Sequence, residues 1–546
     1  MQRRTLAAAA GLAGGVLLLV LALAAGPAAS SRSTTAAAGP RQGGTLRLNL
    51  STADFQFTDP ALEYEVNGWQ LEYATALKLV NWRESKAQLY PEAARAFPRI
   101  GLGGRRYTFT IRKGLRLSNG ERIRAANFKR GFARALTPKM NSPAIAFLGD
   151  VKSVVSRGNY TLVINLKRPR PGFVSIVSMP FFQAVPKNLA IDPKGVNTYA
   201  SGGPYYVAAR DVGRSVVLKR NKFYRGSRPH NPNVMSITVN TNIDTSLLQV
   251  EANQRDYDMF GLPPTSHVML HRKYPKRYHV DPGVITDLLT MNVTYGSAGE
   301  GIKNKSCFNG YSGAGLRTRK AVNYAVNRPA TLAARGAFAG TPTNQLLPPT
   351  MPGFHKWTKQ IGYPLSRPNL AKARSLRPKR CDITFYAANS PTGSAQAQIV
   401  KDNLSKIGLN ASIKLFPFAV RITKEGHRGE PFDLDLQAWG ADYPDPVDFI
   451  DILANGNNIH AENNNNNAYF NSKAFNRRME QAGRISNLPK RYAAWALLDR
   501  DLMKEQAPYA PLFFRTVRSF TSNRVGCYSY QPVYAVPNLN TFCIKR

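Results

Sequence analysis

Asp382 to Ala387, Ser394 to Ile407 and Asn410 to Phe416 read in turn as a strand, an amphipathic helix closed by Gly408, and a second strand. No other stretch limits the fold so tightly. Two strands joined by a crossover helix lie parallel and right-handed in one sheet, because a right-twisted strand feeding a helix packs back only that way. This part of the chain is therefore α/β. Further on, Phe432, Leu434, Leu436 and Ala438 alternate with Asp433, Asp435 and Gln437, the period of a half-buried strand. It is expected to join the same sheet.

That strand runs into Trp439-Gly440-Ala441-Asp442-Tyr443-Pro444-Asp445-Pro446. Carboxylates crowd here although the chain carries 74 Lys+Arg against 33 Asp+Glu, a net charge of +41. A carboxylate at a strand end between aromatic side chains suits a ligand with a positive group and an apolar body. Asp442 is the candidate anchor, bracketed by Trp439 and Tyr443. Asp445 and Asp448 read as turn and helix-cap residues.

The basic excess is spread along the whole chain, with no long Lys/Arg block and no nucleic-acid motif. It reads as a uniformly basic surface, and no nucleic-acid partner is expected. An exported protein that binds an anionic polymer is the alternative, resting on charge alone. At 546 residues the chain suggests two or three domains. Arg3 and Arg4 precede an uncharged run from Leu6 to Ala25 and then small residues, so 1–29 reads as an export signal or a retained anchor. Residues 30–42 read as a flexible linker. The rest is expected outside the cytoplasmic membrane, periplasmic or at the cell surface.

The four cysteines lie in that exported part, where disulfides persist. Three pairings are possible. Cys527 and Cys543 are the nearest pair, which leaves Cys307 with Cys381. There is no C-x-x-C motif, so zinc or redox chemistry is not expected. Gly310-Tyr311-Ser312-Gly313-Ala314 misses the last glycine of a nucleophile elbow, and neither a phosphate-binding nor a dinucleotide-binding glycine loop occurs. His267 and His271 are four apart and could ligate a metal from one helix, but a lone pair is more often packing. No catalytic residue, metal or cofactor is expected.

Elsewhere, Gly43 to Leu50, Arg106 to Arg112, Asn159 to Leu166, Ser215 to Lys219 and Val234 to Val239 read as strands. A short strand at Gly114 to Leu117 should enter a hairpin turn at Asn119-Gly120. Helical spacing marks Trp69 to Leu79, Phe128 to Ala135, Leu316 to Asn327, and a long helix from Pro489 to Glu505 capped by Asn487.

Several of these landmarks together resemble a known family. Gly43-Gly44-Thr45-Leu46 with Asp59-Pro60, Tyr107 to Gly120, Gly202-Gly203-Pro204-Tyr205 with Leu218 to Asn221, Arg317 to Arg328, and Trp439 to Pro446 follow one another as in the dipeptide/oligopeptide-binding proteins of ABC transporters, bacterial solute-binding protein family 5. The resemblance spans Gly43 to Val536. Arg124, Asn127 and Asn327 stand where the family has Thr, Asp and Asp, so weaker helix starts are expected there.

The resemblance implies an α/β, two-lobed, periplasmic-binding-protein-like flytrap fold with an extra α+β subdomain on lobe I. Lobe I would comprise 43–73, 181–292 and 513–546, the extra subdomain 74–180, and lobe II 293–512. Asp442 would pair with a peptide's α-ammonium and Trp439 would line side-chain space. Tyr64 and Val66 fall at the first-lobe ligand edge. The implied partners are a peptide or similar amine-bearing ligand and the permease subunits of an ABC importer, the protein itself being a monomer. Within the same fold, a nickel chelate, haem or a sugar is the alternative ligand.

Overall fold

The computed structural model describes residues 42–545 except 52–53, 241, 295–305, 377 and 379. The export segment expected over 1–29, and the linker apart from residue 42, lie outside the described residues.

Three sheets of four or more strands organise the described chain. In the first, Thr45–Ser51 runs parallel to both Val234–Asn240 and Tyr257–Asp258, and the antiparallel strands Ser215–Arg220 and Tyr205–Asp211 extend it. The second has six strands, in the order Gly340–Pro342, Tyr509–Phe520, Tyr278–Met291, Leu434–Gly440, Cys381–Ala388, Leu409–Phe416. The third, antiparallel, is built from Arg99–Gly101, Arg106–Thr110, Thr161–Leu166 and Val151–Arg157. Helix Ala125–Leu136 packs on it through Phe128 and Phe132, in one buried cluster with Tyr107, Phe109, Leu162 and Ile164.

The strand–helix–strand unit is present as expected. Cys381–Ala388 and Leu409–Phe416 pair in parallel over their full length, and helix Pro391–Ser405 starts with Ser390 Oγ accepting the Gly393 N–H at 3.1 Å. Leu434–Gly440 joins the same sheet, parallel to Cys381–Ala388 and antiparallel to Tyr278–Met291. Its expected open face is closed, however. Asp433, Asp435 and Gln437 are all buried. Helix Phe418–Glu425 carries Arg421, which donates to both Asp435 oxygens at 2.7 and 2.8 Å, while Asp433 accepts the Thr384 N–H at 2.8 Å. Alternation there separates apolar from ion-paired interior, not core from solvent.

Other local expectations shift for identifiable reasons. The helix expected from Trp69 to Leu79 spans Val66–Thr75, and buried Arg228 donates to the carbonyls of Tyr73 and Ala76 at its end. The short strand at Gly114 to Leu117 is reduced to one bridge, Arg116 with Arg122, around Gly120 at φ +89°. The helix starts keep their caps despite the substitutions. Asn127 Oδ1 accepts the Arg124 N–H at 2.8 Å, and Asn327 Oδ1 accepts the Ala330 N–H at 3.1 Å. Asn487 caps Leu488–Asp501, which continues into a π turn at Leu502–Gln506.

Part of the basic excess is interior, which corrects the reading of a purely surface charge. Arg134, Arg228, Arg319, Arg328, Arg421 and Arg491 are all buried. Arg328 alone donates to the carbonyls of Thr343, Pro511, Asn323 and Pro364 at 2.8–2.9 Å, so one guanidinium satisfies acceptors from four segments. His267 lies on helix His267–Lys273 with Nδ1 at 2.9 Å from the Tyr278 hydroxyl, and burial pushes its pKa down to about 3. The His271 ring packs 4.7 Å from that of Phe338, tilted by 49°.

Both disulfides pair as expected, Cys307 with Cys381 and Cys527 with Cys543. The second closes a loop of sequence separation 16. On the chain-entropy argument, the double variant Cys527→Ser/Cys543→Ser should lose about 3 kcal/mol. Urea titration of the two proteins measures it, and an unchanged midpoint would refute the entropic account.

Candidate ligand-binding site at Asp442

The Leu434–Gly440 strand delivers the chain into a turn flanked by Pro444 and Pro446, and helix Val447–Ala454 follows. In that turn the Asp442 N–H donates to Asp448 Oδ2 at 2.8 Å. The side chain of Asp448 thus folds back on the turn instead of capping its own helix, whose first turn has no side-chain cap. Asp445 does act as a turn residue, its Oδ1 accepting the Val447 N–H at 3.0 Å. Its other oxygen makes a buried ion pair with Arg491, which had no sequence signal at a separation of 46 residues.

The partner is Tyr64, from the segment just before helix Val66–Thr75. Glu63, beside it, accepts the N–H groups of Phe57 and Glu65 at 3.0 and 2.8 Å, which holds the local turn. Gly68 makes this possible, because a Cβ there would stand 2.0 Å from the Glu63 carboxyl carbon. The Tyr64 ring packs against Trp69, Phe147 and Phe181 at centroid distances of 5.7, 6.1 and 5.8 Å. So positioned, its hydroxyl donates to Asp442 Oδ2 at 2.8 Å.

Asp442 is therefore held from two directions and is only 7% exposed. Burial pushes its pKa up to about 7, against the opposing hydrogen bonds of Tyr64 and Asp448. Asp448 is raised as well, by burial first and then by the charge of Asp442. Two carboxyls this close cannot both ionise cheaply in a dry site, so the pair retains a proton near neutrality. Among the described residues, the Asp442 carboxyl accepts from the Tyr64 phenol, the Asp442 N–H donates to the Asp448 carboxyl, and no cationic side chain bonds it. A cation brought against this carboxyl would favour its ionised form and displace that proton.

Trp439 is half-buried, its Nε1–H donating to the Asp448 carbonyl at 2.9 Å, and it packs on two of the hydrophobic clusters. Tyr443 is fully buried, its ring edge-on to Phe147 at 6.3 Å. Val66 opens helix Val66–Thr75, is 49% exposed and contributes no hydrogen bond to the cluster. Asp442, Tyr64, Trp439 and Tyr443 thus share one neighbourhood. Asp448, which by its sequence position reads as a helix cap, adds a second carboxyl to this neighbourhood, and only its six-residue spacing from Asp442 signals that in the sequence.

A first sheet drawn from 45–258, a second from 278–520, and a buried carboxyl bridging their elements define a two-lobed α/β binding protein. The model of the bacterial extracellular solute-binding proteins, family 5, matches residues 88–461, and the chain belongs to that family. It is 22% identical over 477 residues to the probable deoxycholate-binding periplasmic protein YgiS of Escherichia coli (strain K12), covering 82% of this chain and 83% of that one. It is 22% identical over 450 residues to the oligopeptide-binding protein OppA of Bacillus subtilis (strain 168), covering 76% and 77%. Among solved structures it resembles the periplasmic binding protein DppA from Helicobacter pylori in complex with the peptide STSA, with a TM-score of 0.77, 20% identity, and 93% and 99% of the two chains covered. Among the described residues, no helix is long and apolar enough to cross a membrane.

Proposed function

We propose that this protein captures peptides, or similar amine-bearing solutes, by closing its lobes around them, and delivers them to an ABC-type import permease outside the cytoplasmic membrane. It acts as a monomer and performs no catalysis. The observation that carries this reading is Asp442: a buried carboxyl, tied to Tyr64 of one lobe and Asp448 of the other, with no cationic partner among the described residues. Membership of a solute-binding family and the peptide named in the DppA complex support it. The expected lobe limit at 512/513 falls within strand Tyr509–Phe520 and that at 292/293 just past strand Tyr278–Met291, and we take these two strands as the connections between lobes. The region 74–180 is the extra subdomain.

The pH dependence of binding tests this reading. In the free protein Asp442 holds its proton below about pH 7, and an ammonium ligand needs it ionised. The ligand-bound pKa is therefore the lower of the two. Affinity is greatest between the free-state value and the ligand amine's own pKa of about 8, and it falls, by up to about tenfold per pH unit, as pH drops through 7, until the bound-state value is reached. Calorimetry with trialanine across this range measures the slope and the proton released. A flat profile through pH 7, with no proton release, rules out Asp442 as the amine anchor.

A further inference from the structure

The third sheet ends on an uncovered edge. Arg99–Gly101 is its outermost strand and pairs with Arg106–Thr110, Arg99 opposite Thr108 and Gly101 opposite Arg106. Helix Ala125–Leu136 lies over the far strands, Thr161–Leu166 and Val151–Arg157, and leaves this edge bare. Gly103 and Gly104, at φ +60° and +86°, turn the chain between the two edge strands. A Cβ placed on Gly101 or Gly103 would meet nothing within 4 Å, so the tip of this hairpin stands in solvent.

Three large apolar side chains sit on it. Phe97, Ile100 and Leu102 are 50%, 53% and 54% exposed. One exposed apolar residue is ordinary, but three within six residues make a patch. Arg95, Arg99 and Arg105 are exposed around them, and Arg106 beside them donates to Asn165 Oδ1 at 3.1 Å. No Asp or Glu occurs from Ala93 to Gly120. The carboxylates of the wider 74–180 region are engaged elsewhere. Glu84 accepts from the Tyr73 hydroxyl at 2.8 Å, Glu92 pairs with Arg228 at 2.7 Å, Glu121 accepts from Asn127 at 3.1 Å, and Asp150 pairs with Arg168 at 2.6 Å. Among the described residues, no carboxylate pairs with the four arginines of the hairpin.

Charge alone would suit any polyanion. Exposed apolar side chains gain only from a partner that has an apolar phase beneath its charges, and a phospholipid surface has one. We propose that this hairpin docks the protein on an anionic phospholipid surface. Arg95, Arg99, Arg105 and Arg106 meet headgroup phosphates, and Phe97, Ile100 and Leu102 enter the acyl boundary.

Flotation of the full chain with vesicles of equimolar phosphatidylglycerol and phosphatidylcholine tests this. The wild type should bind them and leave pure phosphatidylcholine vesicles alone. Phe97→Ser/Ile100→Ser/Leu102→Ser keeps the net charge and should weaken binding about tenfold or more, through lost apolar burial. Arg95→Ala/Arg99→Ala/Arg105→Ala should weaken it about a hundredfold, at about fivefold per charge. Lys187→Ala/Arg214→Ala/Lys276→Ala, which removes three exposed cations elsewhere, should have a far smaller effect. In Phe97→Trp the added indole emission should shift to the blue on the mixed vesicles. Melting temperatures, recorded alongside, separate loss of binding from loss of fold. Equal losses in the two cation variants, or no emission shift, would overturn the proposal. Unchanged binding of the serine variant, with displacement by soluble polyphosphate, would also overturn it and give the face to a phosphate polymer.

Discussion

Asp442→Asn is expected to weaken the binding of trialanine by about 2–5 kcal/mol when measured at about pH 7.5, where the carboxyl is ionised and the peptide amine is still charged, the range for stranding one member of a desolvated charge pair. The substitution keeps the shape of the side chain and its hydrogen bond from Tyr64, and removes the charge alone. The same peptide with an acetylated amine should bind the wild type and the variant equally weakly, because neither carboxylate nor amide then faces a cation. Below pH 7 the gap should narrow, since the wild-type carboxyl is itself protonated there. Tyr64→Phe should have a smaller effect, of about 1 kcal/mol, because it removes a neutral donor from a carboxyl that the ammonium would satisfy. Equal affinity of wild type and Asp442→Asn for the free-amine peptide would refute the anchor and favour a ligand without an amine.

The second large effect concerns stability. As a turn residue alone, Asp445 would contribute about 1 kcal/mol. The structure gives it a buried ion pair with Arg491, the two side chains being 2% and 1% exposed. Burial raises the Asp445 pKa, and the Arg491 charge opposes that shift. Removing one partner leaves a charge buried without compensation, which costs about 3–5 kcal/mol. Asp445→Asn should therefore lower the urea midpoint by several times the turn effect, and Asp445→Asn/Arg491→Met should recover much of the loss. A loss near 1 kcal/mol, unchanged in the double variant, would return Asp445 to a turn role.

These two aspartates show where local reading stops. Three residues apart in one turn, they have the same side chain and the same proline-rich surroundings. Sequence spacing could place both at a strand end, but their roles depend on Tyr64, 378 residues away from Asp442, and Arg491, 46 residues from Asp445. Asp448 is the instructive case between them. It was legible as a residue in the first turn of a helix, yet its carboxyl serves the Asp442 N–H and not the helix.

Local periodicity was enough for the α/β class, for the parallel unit from Cys381 to Phe416, and for the strand that leads to Asp442. Those features arise from side-chain alternation and helix caps, which neighbours in sequence specify. The disulfide pairs followed from compartment and proximity in the chain. Only the tertiary structure decided that the acidic face of the Phe432 to Ala438 stretch is interior, because Arg421 covers it, and that several arginines are core residues satisfying backbone carbonyls. It also decided the state of Asp442. A carboxyl's pKa depends on the water it loses and the groups that face it, and both are set by segments far apart in the chain.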